Sequence, residues 1–339
     1  MQPGNRITVT ARTLKSILSS VLLLTAVSSY STIPLNAAAV DTLKELTGGV
    51  SPSAPPQPFP FPAAGSPTSA RSLTVYFLNI GQGDAAYIEL PNGQNALIDA
   101  GPSRAKTSYL ASFLAEHNVV KIDNVVLTHP HADHYTGLQY VFSNLTVANF
   151  YDTQADNTGT TVDETIRAKA QALGVNIVHP AAGDTLAWDP GEVTVRVLNA
   201  CSNPVMSGSG QFLNNCSIVL KITYQNTSML FTGDMQESVE SSLVNEYGPE
   251  LKSDLLKVGH HGSQYSSSDG FLAAVRPHDA VISVGAGNNY GHPTPFCLAR
   301  LQASGAVIHR TDMSGTMEYT ISGAYSGFSL DDSLASLRY

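Results

Sequence analysis

The chain has 339 residues, 42% of them apolar and 13% charged, with 27 acidic against 18 basic side chains. This is globular composition, and the length allows one large domain or two small ones. The acidic balance argues against a broad nucleic-acid surface, which relies on a basic stripe for counterion release, but leaves room for a small metal-bound phosphate site, where the ion sets the local charge.

Arg6, Arg12 and Lys15 precede the apolar run "ILSSVLLLTAV" (17–27), no acid occurs before Asp41, and small residues follow in "NAAAV" (36–40). Residues 1–40 have the layout of a secretory signal peptide, since the apolar run is short for a membrane span. A short uncleaved anchor is the alternative. The expected location is secreted or periplasmic, with no stable membrane span after processing. Residues 41–71 include "VSPSAPPQPFPFPAAGSPTSA", rich in proline, serine and alanine without periodicity, and read as an extended linker. Residues 72–339 are periodic throughout and are expected to form one domain.

Strand signals lead that domain: "SLTVYFLNI", "DAAYIEL", "NALIDA" and "NVVLT" alternate or run apolar. Between the last two, "SRAKTSYLASFLAEH" has helical spacing at Tyr109, Leu110, Phe113 and Leu114. A second strand-rich part follows, with "VTVRVLN", "SIVLKITY" and "SMLFTG", a helix near "MQESVESSLVNEYG", then "DLLKVG", a helix around 268–276, "DAVISVG", a helix around 295–304, and "GAVIHR" and "GTMEYTI". Two strand-rich halves with interspersed helices fit an α/β protein of two packed mixed sheets flanked by helices.

Three histidines and an aspartate crowd "THPHADH" after an apolar strand. His129 and His131, two apart in an extended loop, can point the same way and bite one ion. A turn through Ala132 then sends Asp133 and His134 toward a neighbouring position. Imidazole and carboxylate are ligands for zinc, or for manganese or iron where oxygen is more abundant. Three further strands end in the same manner: "LIDAG" with Asp99, "LFTGD" with Asp234, and "KVGHHGS" with His260 and His261. A carboxylate at Asp234 could bridge two cations, one oxygen to each; the alternative is an ordinary turn or helix cap. The recurring plan of strand, acid or histidine, and glycine sets candidate ligands along one sheet edge.

These motifs, in this order, resemble the metallo-β-lactamase-fold hydrolases. The resemblance is closest to the branch containing the hydrolase domain of the ComEC DNA-uptake channel and the bacterial phosphorylcholine esterases. "FLNIGQGDAAYI" (77–88) looks like that branch's opening, and "YGHPTP" (290–295) and "HRTDMSGTM" (309–317) like its closing segments. The resemblance implies an αββα sandwich over roughly 72–322 and two zinc ions, with manganese the alternative. It implies His129 and His131 on the first ion, Asp133 and His134 on the second, and Asp234 between them. His261, directly before a glycine, would complete the second ion's ligands, leaving His260 to face substrate. Asp99 would orient a ligating imidazole, and Asp84 would accept hydrogen bonds near the site. Asp133, His260 and His292 are the expected catalytic residues; for His292 the alternative is a cap on the turn before Pro293.

The sequence departs from the wider superfamily at one point. A third histidine for the first ion is usual, and the matching region, "FLNNCSIVLKI" (212–222), has none. Asn214 or Asn215 is expected nearby, but a neutral amide is a poor zinc ligand. His179 reads as a surface turn, so the expectation is a weakly held first ion or a site working with one tight ion. No serine or cysteine stands in a triad setting, so a metal-activated water is the implied nucleophile. The implied function is exported metal-dependent hydrolysis of a phosphoester, most simply a phosphodiester. Alternatives are an acyl hydrolase acting on a lactam, lactone or thioester, a ComEC-like nuclease, and a binding module without catalysis. With 13 basic and 25 acidic residues over 72–339, a small phosphoester is favoured over nucleic acid. Cys201 and Cys216 could pair across a Gly/Ser-rich loop, leaving Cys297 buried or free, or all three could be small apolar fillers.

Overall fold

Leu73, Val75 and Phe77 alternate along their strand with Thr74 and Tyr76, and all five are buried. A strand covered on both faces belongs to a sheet layered between other elements. The computed structural model describes residues 71–101, 104–201, 207–323 and 325–329; the expected signal peptide and all but the last residue of the expected linker lie outside them.

Two sheets are stacked. The first runs, edge to edge, Tyr325–Phe328, Met317–Ser322, Leu73–Phe77, Ala86–Glu89, Asn95–Ile98, Lys121–Leu127, Thr146–Asp152 and Asn176–Val178. The second runs Val307–Arg310, Asp279–Ile282, Leu255–Lys257, Thr227–Phe231, Val219–Tyr224, Val193–Asn199 and Thr185–Asp189. The last strands among the described residues thus return to the first sheet, where Met317–Ser322 pairs antiparallel with Leu73–Phe77.

The period-two pattern decides what each face meets. Leu73, Val75 and Phe77 join Trp188, Val195, Leu220, Ile222 and Phe231 in the apolar layer between the sheets. Tyr76 and Leu78 face outward, onto Leu110, Phe113 and Leu114 of the helix Arg104–Glu116 and onto Leu138, Val141 and Phe142 of the helix Leu138–Asn144. The second sheet's outer face takes Leu243, Phe271, Leu272 and Leu301 from the helices Glu237–Tyr247, Asp269–Val275 and Pro295–Ala303. The architecture is the expected αββα sandwich.

All four expected helices form. The helices Leu138–Asn144 and Val162–Ala172 and the strands Thr146–Asp152 and Thr185–Asp189 were not anticipated. Each is short or carries polar residues through its apolar spacing, as in "VDETIRAKAQA", where only Asp163, Ile166 and Ala170 are buried.

Candidate metal centre

The parallel strands Asn95–Ile98 and Lys121–Leu127 of the first sheet, and Thr227–Phe231 and Leu255–Lys257 of the second, are followed by Asp99, by His129 and His131, by Asp234, and by His260 and His261. Ligand sites in α/β folds gather at the carboxyl ends of parallel strands.

Local backbone geometry aims these side chains. Gly233 has φ +52°, and a Cβ there would lie 2.7 Å from Ser217 Oγ. Only glycine lets the turn close, and the next N–H, that of Asp234, then donates to Ser217 Oγ at 3.0 Å. The short helix Ala132–Tyr135 starts directly after His131 and carries Asp133 and His134 in its single turn. His260 and His261 both take left-handed conformations, φ 48° and 53°. Such strain costs roughly 1–3 kcal/mol per non-glycine residue and concentrates at functional sites. It parts the two rings, burying His261 and leaving His260 half-buried, with both lining one open cavity.

Donor atoms of Asp133, His134, Asp234 and His261 all lie within 4.8 Å of one another, as do those of His129, His131 and Asp234. Asp234 is common to both groups. Its Oδ2 is 3.4 Å from His134 Nε2, 3.5 Å from His261 Nε2 and 3.8 Å from His129 Nε2. The far side of each buried ring is occupied: His134 Nδ1 donates to Asp99 Oδ2 at 2.8 Å, and His261 Nδ1 donates to the Ser283 carbonyl at 3.0 Å. Asp99 is itself fixed by the Thr128 N–H and hydroxyl, both at 2.8 Å.

Electrostatics divide the histidines. Burial lowers His129 well below its ordinary value, with His134 adding to the effect, and lowers His131 and His260 as well. Burial opposes the charge on His134 too, yet Asp234, Asp99 and Asp133 raise it well above the ordinary value. For His261 the same opposition is overcome by Asp234 and Asp84, raising it to about 10. Against their own burial, Asp234 and Asp133 are held below the usual carboxylate range, chiefly by His261 and His134.

The donors fit a divalent cation. His134 Nε2, His261 Nε2 and Asp234 Oδ1 are buried without a well-formed hydrogen bond, the two nitrogens having only the longer ion-pair contacts with Asp234 Oδ2. Converging imidazole nitrogens and carboxylate oxygens, with the opposite ring nitrogens engaged, are the ligand chemistry of zinc, with manganese admissible.

These groups floor a cavity of about 760 Å³, within the range of small-molecule sites. Gln82, Gln211, Asn214 and Gln236 line it with His260, His292, Tyr265 and Tyr290; among the described residues no serine, cysteine, lysine or arginine does. His292 stands 5.4 Å from the His260 ring and stacks on Tyr290 at 5.9 Å, its pKa lowered to about 4 by burial and then by His260 and His261.

Every sequence-predicted ligand is therefore at or beside the centre, and so are Asp99, Asp84, His260 and His292. Asn214 lines the cavity, whereas Asn215 turns away, its Oδ1 accepting from Gln236 N at 3.1 Å. His179 bonds to the Asp152 carbonyl, and His278 and His309 pair with Asp279. Cys201 and Cys216 form a disulfide, and Cys297 is free and buried, its thiol raised to about 11 by that burial. Lys257 was missed: its Nζ lies 2.6 Å from Asp84 Oδ2, both buried, and Asp84 Oδ1 faces His261 Nδ1 at 3.4 Å. A lysine inside the apolar "LLKV" was the available signal, because buried lysines are paired. Ser217, touching Asp234 and His129, gave no signal at all.

Residues 94–260 match the beta-lactamase superfamily domain. The chain is 29% identical over 272 residues to ComE operon protein 3 of Bacillus subtilis (strain 168), covering 76% of this chain and 34% of that protein. It is 31% identical over 253 residues to Competence protein ComA of Neisseria gonorrhoeae, covering 75% and 33%. The chain thus spans about a third of the length of these relatives. Among solved structures, CmlA, a diiron beta-hydroxylase from Streptomyces venezuelae, aligns at 14% identity with a TM-score of 0.46, covering 76% of this chain and 55% of that one.

Proposed function

We propose that this chain, which matches the beta-lactamase superfamily domain over residues 94–260 and is similar to ComE operon protein 3, is an exported hydrolase of small phosphodiesters working with two divalent cations. The carrying observation is Asp234, shared by two groups of buried and half-buried donors beside an open cavity that, among the described residues, has no serine or cysteine to act as nucleophile. Bound there, a cation pair supplies a nucleophilic water at neutral pH and charge neutralisation at the attacked phosphorus.

The chain's own residues do the rest. His129 and His131 would hold one cation, and Asp133, His134 and His261 the other, with Asp234 serving both. Asp99 and the Ser283 carbonyl fix ring orientation. His260 and His292, neutral at pH 7 because their pKa values are lowered, offer hydrogen bonds to substrate oxygens without adding charge. The neutral amide lining suits a substrate with a single negative charge better than a nucleic-acid strand, which is bound through serial cationic contacts.

Turnover of bis-(nitrophenyl)phosphate with added zinc or manganese tests this. The diester should be cleaved, nitrocefin should not, and His131→Ala and Asp234→Ala should each lower kcat/KM at least about a hundredfold, the loss of roughly 3 kcal/mol of transition-state stabilisation. Cleavage of nitrocefin or a thioester without cleavage of the diester would replace this reading with an acyl hydrolase.

A further inference from the structure

The two donor groups are unequal. Asp133, His134, Asp234 and His261 supply four ligand atoms at one position, but His129, His131 and Asp234 supply only three at the other. A closed site takes four protein ligands, and a catalytic one at least three with a water. Beside the poorer group stands Asn214, which lines the cavity with His131 and Asp234 and is only 4% exposed. Its Oδ1 is buried without a well-formed hydrogen bond, and its amide is a neighbour of the His131 ring.

The surroundings hold the Asn214 main chain. Its main-chain carbonyl accepts from Ser217 Oγ at 2.7 Å, and its N–H donates to the Gly210 carbonyl at 3.2 Å. Two residues on, Cys216 is tied to Cys201. Ser217 Oγ also accepts from Asp234 N and lies 3.4 Å from His129 Nδ1, so the amide shares one frame with two members of the three-donor group. Asn214 Nδ2 lies 3.4 Å from His260 Nε2. With the nitrogen end of the amide engaged there, the oxygen end is left over.

We propose that Asn214 Oδ1 completes the cation position formed by His129, His131 and Asp234. This rests on the two-cation reading above. A neutral amide oxygen brings no charge, so this position holds zinc more weakly than its neighbour, which has two carboxylates, and discriminates less between zinc and manganese.

Calorimetric titration of the metal-free full chain with zinc tests the assignment without any substrate. The wild type should bind two equivalents of distinct affinity. Asn214→Ala should weaken the weaker equivalent about tenfold or more and leave the tighter nearly unchanged, since loss of a direct ligand costs at least what loss of a supporting partner does. Asn214→His and Asn214→Asp should each tighten the weaker equivalent by a similar factor. If the alanine variant fails to fold, those two carry the test, with thermal melting of the metal-free proteins as the folding control. A weaker equivalent unchanged within about twofold in the folded variants, a negligible free-energy difference, would overturn the assignment. A single equivalent in the wild type at every zinc concentration would instead overturn the two-cation reading.

Discussion

His134 donates its Nδ1 proton to Asp99 Oδ2 across 2.8 Å, and this bond fixes which nitrogen the ring can offer to an ion. Asp99 sits at φ +58°, a conformation aspartate and asparagine tolerate better than most residues. Asp99→Asn should therefore preserve the turn but weaken zinc binding about 10–100-fold, the usual cost of losing such a partner. Competition against a zinc chelator measures this, with Asp99→Ala expected to be at least as weak.

Metal uptake should expel protons. Carboxylates raise His134 well above 6.5 and His261 to about 10, so both are charged at pH 7 in the metal-free protein, whereas a ligating imidazole is neutral. For His261 the folded value is raised. Its contribution to metal-free stability is thus complete below the unfolded value of about 6.5 and is lost as pH rises through about 10. The melting-temperature gain on adding zinc should grow from pH 6 to pH 9, and calorimetry in buffers of differing ionisation enthalpy should show close to two protons released at pH 7.

The buried Lys257–Asp84 pair predicts a stability defect with a distinct acid window. Lys257→Met should destabilise by about 3 kcal/mol, because Asp84 loses its shorter buried ion pair and keeps only the 3.4 Å contact with His261. Burial acts against ionisation of Asp84, yet Lys257 and His261 lower its pKa to about 2. The stability it contributes is present above the unfolded carboxylate value of about 3.9 and disappears as pH falls through about 2. Denaturant melts at pH 7 and across pH 4 to 2 should show the wild type losing this increment and the variant lacking it throughout.

Removal of the disulfide should be felt at the site. Cys201 and Cys216 are separated by 15 positions, and closure of such a loop contributes roughly 3 kcal/mol in the chain-entropy model. Cys201→Ser with Cys216→Ser, or reduction of the wild type, should lower the melting temperature by on the order of 10 °C. Zinc affinity should fall as well, since Asn214 and Ser217 flank Cys216.

The sandwich was legible because its strands bury both faces and its chemistry follows them directly in sequence; "LIDA", "VVLTHPH" and "MLFTGD" carry both signals in one stretch. The helix Val162–Ala172 was hidden because its buried face includes Asp163, whose carboxylate meets Arg167 at 3.2 Å and thus behaves as core. Ser217 and Gln236 were illegible for a different reason. Their importance is purely spatial: nothing about a serine before an apolar strand says that its hydroxyl will sit between an aspartate N–H and an imidazole.

The candidate centre draws His129, His131, Asp133 and His134 from the end of a first-sheet strand, and Asp234 and His261 from the ends of second-sheet strands. An ion bound there is a clasp across the two layers of the sandwich, and neither layer can peel away without releasing it. At a hundredfold excess over its dissociation constant, such a clasp adds about 2.7 kcal/mol against opening from either side. Hydrogen exchange should consequently slow in both sheets together when the ion is added, although each sheet contributes only part of the grip.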